Sequence, residues 1–377
     1  MASEVMPPDA VVVGAGVVGA ACADALSAAG LSVTVLEARF AGGGATAAAM
    51  GHVVVMDDSE AQFALTKLSR TLWQELSPEL PAACEDVPTG TLWIAATAAE
   101  LEIARRKEDF YRARGVAASL LDARALAAEE PNLRPGLAGA LLVPEDRVVY
   151  PVRAARWLLE RAVARGARLV AGAEATAIVG RRVVTRAGDF EAGCVVNAAG
   201  AAAPLLTPGL PVAPRKGHLV ITDRYPGFCR RQLVELGYLA SAHGASAESV
   251  AFNLQPRATG QMLLGSSREF VGFEAAVNRR VRAKMVRRAL DFMPALSELS
   301  AIRTWTGFRP ATPDNLPLIG AWGETPGLFV AAGHEGLGVT TSLGTAHLIV
   351  DAVLARQSPI DAAPYRPARA LPQGPHA

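Results

Sequence analysis

Three glycines and a glutamate near the N-terminus have the spacing of a site for phosphate and ribose. Gly14, Gly16 and Gly19 form the pattern G-x-G-x-x-G, and Glu37 ends the next apolar run. Such glycines permit a tight turn and the close approach of a pyrophosphate, and the carboxylate can accept hydrogen bonds from both ribose hydroxyls. A tight turn that binds no ligand is the alternative explanation of the same glycines.

Residues 10–37 also supply the elements that would position these groups. The apolar run that begins at Ala10 predicts a buried strand, Val17–Ala29 predicts a helix and Leu31–Glu37 predicts a second strand. A helix that follows a glycine turn presents free N–H groups and a partial positive charge to a phosphate. The complete strand, turn, helix, strand and acid therefore favour a dinucleotide site in a Rossmann-like domain.

The composition predicts a globular enzyme with more than one domain. The chain has 377 residues, of which 51% are hydrophobic and 19% charged, and two domains are the natural expectation at this length. The net charge of +1 gives no support to a nucleic-acid partner. No apolar run reaches the roughly 18 residues that a transmembrane helix needs.

The cysteines and the N-terminus predict a cytoplasmic protein without a metal site. Cys22, Cys84, Cys194 and Cys229 form no C-x-x-C pair, and the six histidines are dispersed, so we expect reduced thiols and no bound metal. The N-terminal residues lack the basic and apolar regions of a secretory signal.

A second glycine-rich loop near the C-terminus favours a flavin over a nicotinamide cofactor. Gly327–Leu354 reads as a strand, a glycine loop and a long helix, which we place at Thr341–Leu354. The isoalloxazine ring of a flavin lies far from its pyrophosphate and needs a second set of dipoles. The positive end of this helix would face the flavin N1–C2=O region.

These motifs resemble the flavin-dependent D-amino-acid oxidase family, which includes glycine oxidase and sarcosine oxidase. The resemblance rests on Gly14–Glu37, on VVNAAGA (Val195–Ala201), and on Thr306–Gly320 with Gly333–Thr340. The stretch Gly42–Asp58 is similar to the branch of D-hydroxyproline dehydrogenase catalytic subunits, whose relatives include the flavin subunit of hydrogen cyanide synthase. Members of that branch typically work with electron-transfer partner subunits.

The resemblance implies FAD as cofactor. Some sarcosine oxidases attach the flavin through a cysteine shortly before the T-P-D turn, but Gly307, Phe308 and Arg309 occupy that neighbourhood here, so we expect non-covalent FAD. The residues implied to bind FAD are Gly14, Gly16, Val17, Val18, Gly19, Glu37, Ala38, Arg39, Ala45, Thr46, Met50, Gly51, Ala175, Ala199, Gly200, Gly307, Arg309, Gly336, Leu337, Gly338, Val339 and Thr340.

The predicted fold is α/β, or α+β overall, with a Rossmann-like domain assembled from separated segments. Amphipathic patterns predict helices at Glu60–Leu76 and Ala98–Arg114, and strand-like runs dominate between residues 215 and 303. We predict an FAD-binding domain of residues 8–80, 146–214 and 303–363. The inserted substrate-binding domain would comprise residues 81–145 and 215–302, built on an antiparallel or mixed sheet, and residues 364–377 would be a loose tail.

Arg309 is the first candidate for substrate binding. The resemblance places it where an arginine binds the substrate carboxylate in glycine oxidase-like members, and a planar, permanently charged guanidinium suits a carboxylate. An ion pair with Asp314 in the following turn is the alternative.

Three further residues are candidates for the catalytic site. His52 could accept the ammonium proton or orient the substrate, or it could simply hydrogen-bond to the backbone of its loop. Glu335 could pair with the substrate amine, or it could have a supporting or surface role. Tyr238 could supply an aromatic wall or a hydroxyl, or it could be ordinary strand packing.

The predicted activity is hydride transfer from the C–N carbon of a small D-amino or imino acid to flavin N5, with cis-4-hydroxy-D-proline the favoured substrate. Two alternatives remain: a free-standing glycine, sarcosine or D-amino-acid oxidase that produces hydrogen peroxide, and an electron-relay or scaffold subunit of a hydrogen cyanide synthase-like complex. Electron-transfer partner subunits are possible in the favoured case.

Overall fold

Strands and helices alternate through the part of the chain that the structure, a computed structural model, describes: residues 6–237, 248–323 and 325–370. The helices are α1 (Val17–Ala28), α2 (Gly44–Ala47), α3 (Glu60–Leu76), α4 (Ala98–Ala113), α5 (Ala123–Glu129), α6 (Pro151–Ala164), α7 (Ala203–Leu206), α8 (Arg279–Phe292) and α9 (Gly338–Val353). The strands are β1 (Ala10–Val13), β2 (Val33–Glu37), β3 (His52–Val53), β4 (Thr91–Ala95), β5 (Ser119–Asp122), β6 (Gly139–Val143), β7 (Arg147–Val148), β8 (Arg168–Ala171), β9 (Ala175–Val179), β10 (Arg182–Thr185), β11 (Gly188–Glu191), β12 (Cys194–Asn197), β13 (Ala213–Thr222), β14 (Gln232–Glu235), β15 (Glu248–Pro256), β16 (Met262–Glu269), β17 (Ala301–Ala311), β18 (Leu318–Ala321) and β19 (Leu328–Ala332).

The first sheet is a six-stranded Rossmann-like sheet with the order β18-β19-β12-β1-β2-β8. Strand β1 pairs in parallel with β2 on one side and with β12 on the other, and β18 is antiparallel to β19. Val12 packs into the core under α1, α6 and α9, while Val11 and Val13 pack toward the small sheet of β9, β10 and β11. The strand order reverses at β1, and ligands of open α/β sheets bind at such a point.

The second sheet has eight strands in the order β17-β13-β16-β15-β14-β4-β6-β5. Its pairs are antiparallel except β14 with β4, so the sheet is mixed. One face is apolar: Leu233, Phe252 and Leu254 pack with Met285 and Phe292 of α8. The alternation of strand residues gives the opposite face a mixed character: it carries the buried polar residues Gln232, Asn253 and Gln255 next to Trp93 and Val234.

The predicted segment boundaries can be compared with the strands of the two large sheets. The first sheet takes its strands from residues 10–37, 168–197 and 318–332. Strand β17 runs past the predicted boundary at residue 303, because it pairs with β13 from Ala213 to Thr222 in the second sheet. The division of the chain into two domains stays a prediction.

The expectation of a loose tail is wrong for residues 364–370, and residues 371–377 lie outside the described part. Tyr365 is 1% exposed, and its hydroxyl donates to the carbonyl oxygen of Ala61. The Arg369 guanidinium pairs with Asp314 at 2.9 Å. A buried aromatic ring and an ion pair hold this segment against the body of the protein.

Candidate active site

The turn between β1 and α1 requires glycine at two positions. Gly14 has φ +102°, and a Cβ there would lie 2.7 Å from the carbonyl oxygen of Ala198 on the neighbouring strand's loop. A Cβ at Gly19 would overlap the carbonyl oxygen of Gly14. Glycine at both positions allows α1 to begin close to the end of β1. The first N–H groups of α1 then face the loops that follow the parallel strands.

Two side chains hold this turn in place. The Thr46 hydroxyl accepts a hydrogen bond of 3.0 Å from the N–H of Val17, at the start of α1. The Glu37 carboxylate accepts one hydrogen bond from the N–H of Ala15 and one from the N–H of Arg39, each 2.8 Å. A carboxylate oxygen has two lone pairs, so Glu37 can still accept hydrogen bonds from a ribose.

The segment after Glu37 wraps over the start of α1. The N–H of Gly42 donates to the carbonyl oxygen of Ala15 at 2.8 Å. At the far end, the N–H of Gly51 donates to Gln255 Oε1 at 2.7 Å, and a Cβ at Gly51 would overlap the Val149 carbonyl oxygen. This segment thereby joins the first sheet to the second.

The C-terminal glycine loop meets the same segment. Helix α9 begins at Gly338, so the predicted start at Thr341 is wrong by three residues: Gly338, Val339 and Thr340 form its first turn. The Thr340 hydroxyl donates to the His52 carbonyl oxygen at 2.8 Å. The N-terminal end of a second helix is thus fixed beside the loop that carries His52.

A cleft of about 840 Å³ runs between these motifs. Its volume lies within the range of sites that enclose large organic ligands. Glycines whose missing side chains leave room for a ligand line one wall, and no lining residue in the described part is a cysteine. The predicted residues on its walls are Gly14, Gly16, Val17, Val18, Glu37, Ala38, Arg39, Ala45, Thr46, Met50, His52, Ala175, Ala199, Gly200, Gly307, Arg309, Glu335, Gly336, Gly338 and Val339.

Four predicted cofactor residues do not line the cleft. Gly19 and Gly51 lie at close backbone contacts, and Thr340 is buried behind the wall, where it holds His52. Leu337 lines a smaller cavity beside the cleft, which we call the side cavity. Tyr238 lies outside the described residues. The binding roles assigned to all of these residues stay predictions.

Arg309 reaches the cleft from β17. Its Nη1 donates to the Ser267 carbonyl oxygen at 2.9 Å. A Cβ at Gly217 would overlap the guanidinium, so the absence of a side chain at Gly217 makes room for it. The alternative ion pair with Asp314 is wrong, because Asp314 pairs with Arg369.

Glu335 lies among three arginines. Its Oε1 is 3.5 Å from Nε of Arg268 and 3.7 Å from Nη1 of Arg215. Burial acts to raise the pKa of Glu335, but the positive charges of Arg268, Arg309 and Arg215 outweigh it and lower the pKa below its usual value. Glu335 is therefore a buried, ionised partner of arginines rather than a surface residue.

His52 lies where the cleft meets the side cavity. Its Nε2 is buried and has no hydrogen-bond partner among the described residues, so the alternative of a backbone hydrogen bond through this atom is wrong. Burial lowers the pKa of His52 to about 3. A neutral imidazole can accept a hydrogen bond from an amine, but it is a weak base toward an ammonium group.

The strands of the second sheet contribute residues that the sequence analysis did not single out. Trp93, Gln232, Asn253 and Arg268 line the side cavity, and Asn253 lines the cleft as well. The available signal is the alternation of polar residues with Leu233, Phe252 and Leu254, which marks a buried polar face opposite a buried apolar one.

Two classes of structure are absent from the described residues. No group of three or more histidine, cysteine, aspartate or glutamate side chains there could hold a metal ion. Among residues 6–237, 248–323 and 325–370, no helix is long and apolar enough to span a membrane.

Comparison with known proteins supports a flavoenzyme. The model of a family described as FAD dependent oxidoreductase (DAO) matches residues 9–352. Glycine oxidase from Geobacillus kaustophilus is 30% identical over 373 residues, which cover 95% of this chain and 96% of that protein. Hydrogen cyanide synthase subunit HcnC from Pseudomonas aeruginosa is 32% identical over 67% of this chain, but the match spans only 60% of that protein.

Solved structures have the same fold. The crystal structure of the Geobacillus kaustophilus glycine oxidase superposes with a TM-score of 0.87 at 28% identity, covering 97% of this chain and 99% of that one. The L-proline dehydrogenase from P. horikoshii superposes with a TM-score of 0.88 at 24% identity, covering 96% and 97%. The second likeness concerns the fold alone.

Proposed function

The chain belongs to the DAO family of FAD-dependent oxidoreductases, and from that premise we propose that it oxidises the C–N bond of a small D-amino or imino acid, with cis-4-hydroxy-D-proline the favoured substrate. The observation that carries this proposal is the position of Arg309. Arg309 and His52 both line the cleft, and the Arg309 side chain lies near Gly336 of the C-terminal glycine loop. A cleft that holds both a permanent positive charge and an imidazole able to accept a hydrogen bond suits an amino acid.

Bound FAD would supply the hydride acceptor for the carbon that carries the nitrogen. The turn at Gly14 and the ribose acceptor Glu37 would hold the adenosine half, and the start of α9 would face the ring system. Arg309 would hold the carboxylate, which fixes the distance of the reacting carbon from the ring. His52 would accept a hydrogen bond from the neutral amine, because burial keeps its ring unprotonated.

The test is an anaerobic screen for bleaching of the bound flavin. The panel comprises D- and L-proline, the hydroxyproline isomers, sarcosine, glycine and D-alanine. We expect the fastest bleaching with cis-4-hydroxy-D-proline and none with L-proline. A properly folded holoprotein that no member of the panel bleaches would contradict the proposal, and fastest bleaching by glycine or sarcosine would contradict the favoured substrate.

A free-standing oxidase is the second candidate, because glycine oxidase from Geobacillus kaustophilus aligns over 96% of its length. A peroxide assay of the isolated chain in air separates the two. An oxidase forms hydrogen peroxide at the rate of substrate consumption, whereas a dehydrogenase needs an artificial dye as electron acceptor.

Electron-transfer partner subunits form part of the favoured proposal. Two observations support them: the likeness to subunit HcnC, and an exposed apolar surface of Phe270, Val271 and Phe273 beside the cleft. Phe273 contacts Phe308 of the cleft wall, with ring centroids 5.3 Å apart. A subunit that only relays electrons or acts as a scaffold is excluded if substrate alone bleaches the flavin.

We further propose that FAD is bound non-covalently in a cytoplasmic protein. The four cysteines are buried free thiols, and none of them lines the cleft in the described part of the chain. Acid precipitation should release all of the flavin into the supernatant; flavin that stays with the polypeptide contradicts non-covalent binding.

A further inference from the structure

Three polar side chains of the second sheet converge on the side cavity. In the register of the sheet, Val234 is opposite Trp93 on β4 and opposite Asn253 on β15. Directly opposite residues share a face of a sheet, and Gln232 lies two residues before Val234, so it shares that face too. Trp93, Gln232 and Asn253 therefore surround Val234 on one face of the sheet, and all three line the side cavity.

Each of the three buries a polar atom that no described residue pairs with. Trp93, Gln232 and Asn253 are 2%, 1% and 5% exposed. Trp93 Nε1, Gln232 Oε1 and Asn253 Oδ1 have no hydrogen-bond partner among the described residues. Native interiors rarely leave such groups unpaired, and when they do, the groups call for an external partner.

Gln255, a neighbour on the same face, differs from these three residues because its side-chain oxygen has a partner. Gln255 lies two residues after Asn253 and is equally buried, but its Oε1 accepts a hydrogen bond from the N–H of Gly51. The polarity of Gln255 thus has a structural purpose, because it ties the cofactor-side loop to the sheet. Within the described part of the chain, Trp93 Nε1, Gln232 Oε1 and Asn253 Oδ1 make no comparable structural hydrogen bond.

We propose that Trp93, Gln232 and Asn253 bind a neutral hydroxyl group on the side chain or ring of the substrate. This inference rests on the proposed function and names a property of its substrate. The indole N–H can donate to the hydroxyl oxygen, and an amide oxygen can accept the hydroxyl proton. A hydroxyl also suits either orientation of the two amides, because it both donates and accepts.

The size and charge of the side cavity favour a small neutral group. About 60 Å³ is room for a few water-sized groups, so a hydroxyl with its carbon fits and a long side chain does not. The buried charges at this end, Arg268 and Glu335, already face one another at 3.5 Å. Because Asn253 borders both cavities, the hydroxyl would lie next to the part of the substrate that reacts in the cleft.

The experiment compares substrates that differ only by the hydroxyl. Anaerobic reduction of the holoenzyme is timed with cis-4-hydroxy-D-proline against D-proline and with D-serine against D-alanine, and the rate at low substrate is taken as a measure of kcat/KM. We expect the hydroxylated member of the faster pair to react at least about tenfold faster, because a site built to hydrogen-bond a hydroxyl rejects an analogue that lacks it.

Variants assign the preference to the side cavity. N253L and Q232L should each bring the ratio of the two rates close to one. W93F should lower this ratio, because it keeps an aromatic ring but removes the indole N–H. Gln261, on the hairpin before β16, lines neither cavity, so Q261L is the matched control and should keep the wild-type ratio. Flavin absorbance and thermal melting of each variant confirm folding, and W93F carries the test if N253L or Q232L does not fold.

Two results overturn the proposal while leaving intact the proposed oxidation of the C–N bond of a small D-amino or imino acid: equal reduction by both members of a reactive pair, which also contradicts the favoured substrate, and a wild-type preference that survives in every folded variant. The first means that the side cavity holds only water during turnover, and the second places recognition of the hydroxyl elsewhere. If no pair reduces the flavin at all, the proposed function itself fails.

Discussion

The two walls of the candidate active site are built in different ways. The wall that we propose to bind FAD, called the cofactor wall, consists largely of backbone: Gly14 and Gly19 leave space, and the N-terminal ends of α1 and α9 present N–H groups. The wall that we propose to bind substrate, called the substrate wall, consists of side chains on strands of the second sheet, among them Asn253 and Arg309. A wall made of backbone tolerates almost no added atom, whereas a wall made of side chains can change what it binds one residue at a time.

A single added methyl group in the cofactor wall should abolish FAD binding. Gly14→Ala adds a Cβ 2.7 Å from the Ala198 carbonyl oxygen at φ +102°, so we expect purified protein with little or no flavin and reduced yield. The measurement is flavin absorbance relative to protein absorbance.

Gly30→Ala is the matched control for this change. It has a similar φ of +88°, but nothing lies within 4 Å of the added Cβ, so the expected cost is about 1 kcal/mol without loss of FAD. If both variants retain FAD equally, the close contact at Gly14 does not matter for binding.

The substrate wall should lose affinity but not structure. Arg309→Met should raise KM roughly 10- to 1,000-fold, since a charge-assisted hydrogen bond of about 1.5–4 kcal/mol is lost. Flavin content should stay at the wild-type level. Arg309→Lys, which keeps the charge but not the fork, should recover part of the loss. An unchanged KM in the Met variant would remove Arg309 from carboxylate binding.

Thr46 offers a finer test of the cofactor wall, because its hydroxyl is one of the few side-chain groups that hold it. Thr46→Val removes the acceptor for the Val17 N–H and should cost about 1 kcal/mol of stability, with FAD binding weakened several-fold. Thermal melting and flavin titration measure the two effects. Thr71→Val, at an exposed hydroxyl on α3, should change neither; equal losses in both variants would argue against a role for the hydrogen bond between Thr46 and Val17.

A pH dependence of stability is expected at the buried histidine of the glycine loop. Burial lowers the pKa of His334 from 6.5 to about 3, so the unfolded chain binds a proton below pH 6.5 that the folded protein excludes. Stability is therefore complete above that pH and is lost as the pH falls, by about 2 kcal/mol between pH 7 and pH 5. His334→Gln should remove that share from the slope of unfolding free energy against pH. An unchanged slope would mean that His334 takes up its proton in the folded state.

Sequence patterns predict this protein best where its structure is local. The strand–helix–strand unit and the helix at Glu60–Leu76 lie where the apolar periodicity predicts them, because each pattern reports a face that must be buried. They predict it least well where a distant segment decides the outcome. Strand β17 joins the second sheet because β13 is its partner. The C-terminal segment is held in place because the Tyr365 hydroxyl donates to the Ala61 carbonyl oxygen, 304 residues earlier in the chain.

The amino-acid sequence by itself indicated the glycine turns and helix starts of the cofactor wall, since the residues that form each of them are neighbours in the chain; the tertiary structure then set Gly14 against Ala198 and α9 against His52. Only the tertiary structure decided the substrate wall. In the folded protein, Asp314 pairs with Arg369 and Glu335 lies among arginines. Trp93, Gln232 and Asn253 line one cavity. The physical reason is that the chemistry of these side chains depends on what faces them across the sheet, and strand pairing over long sequence separations sets those neighbours.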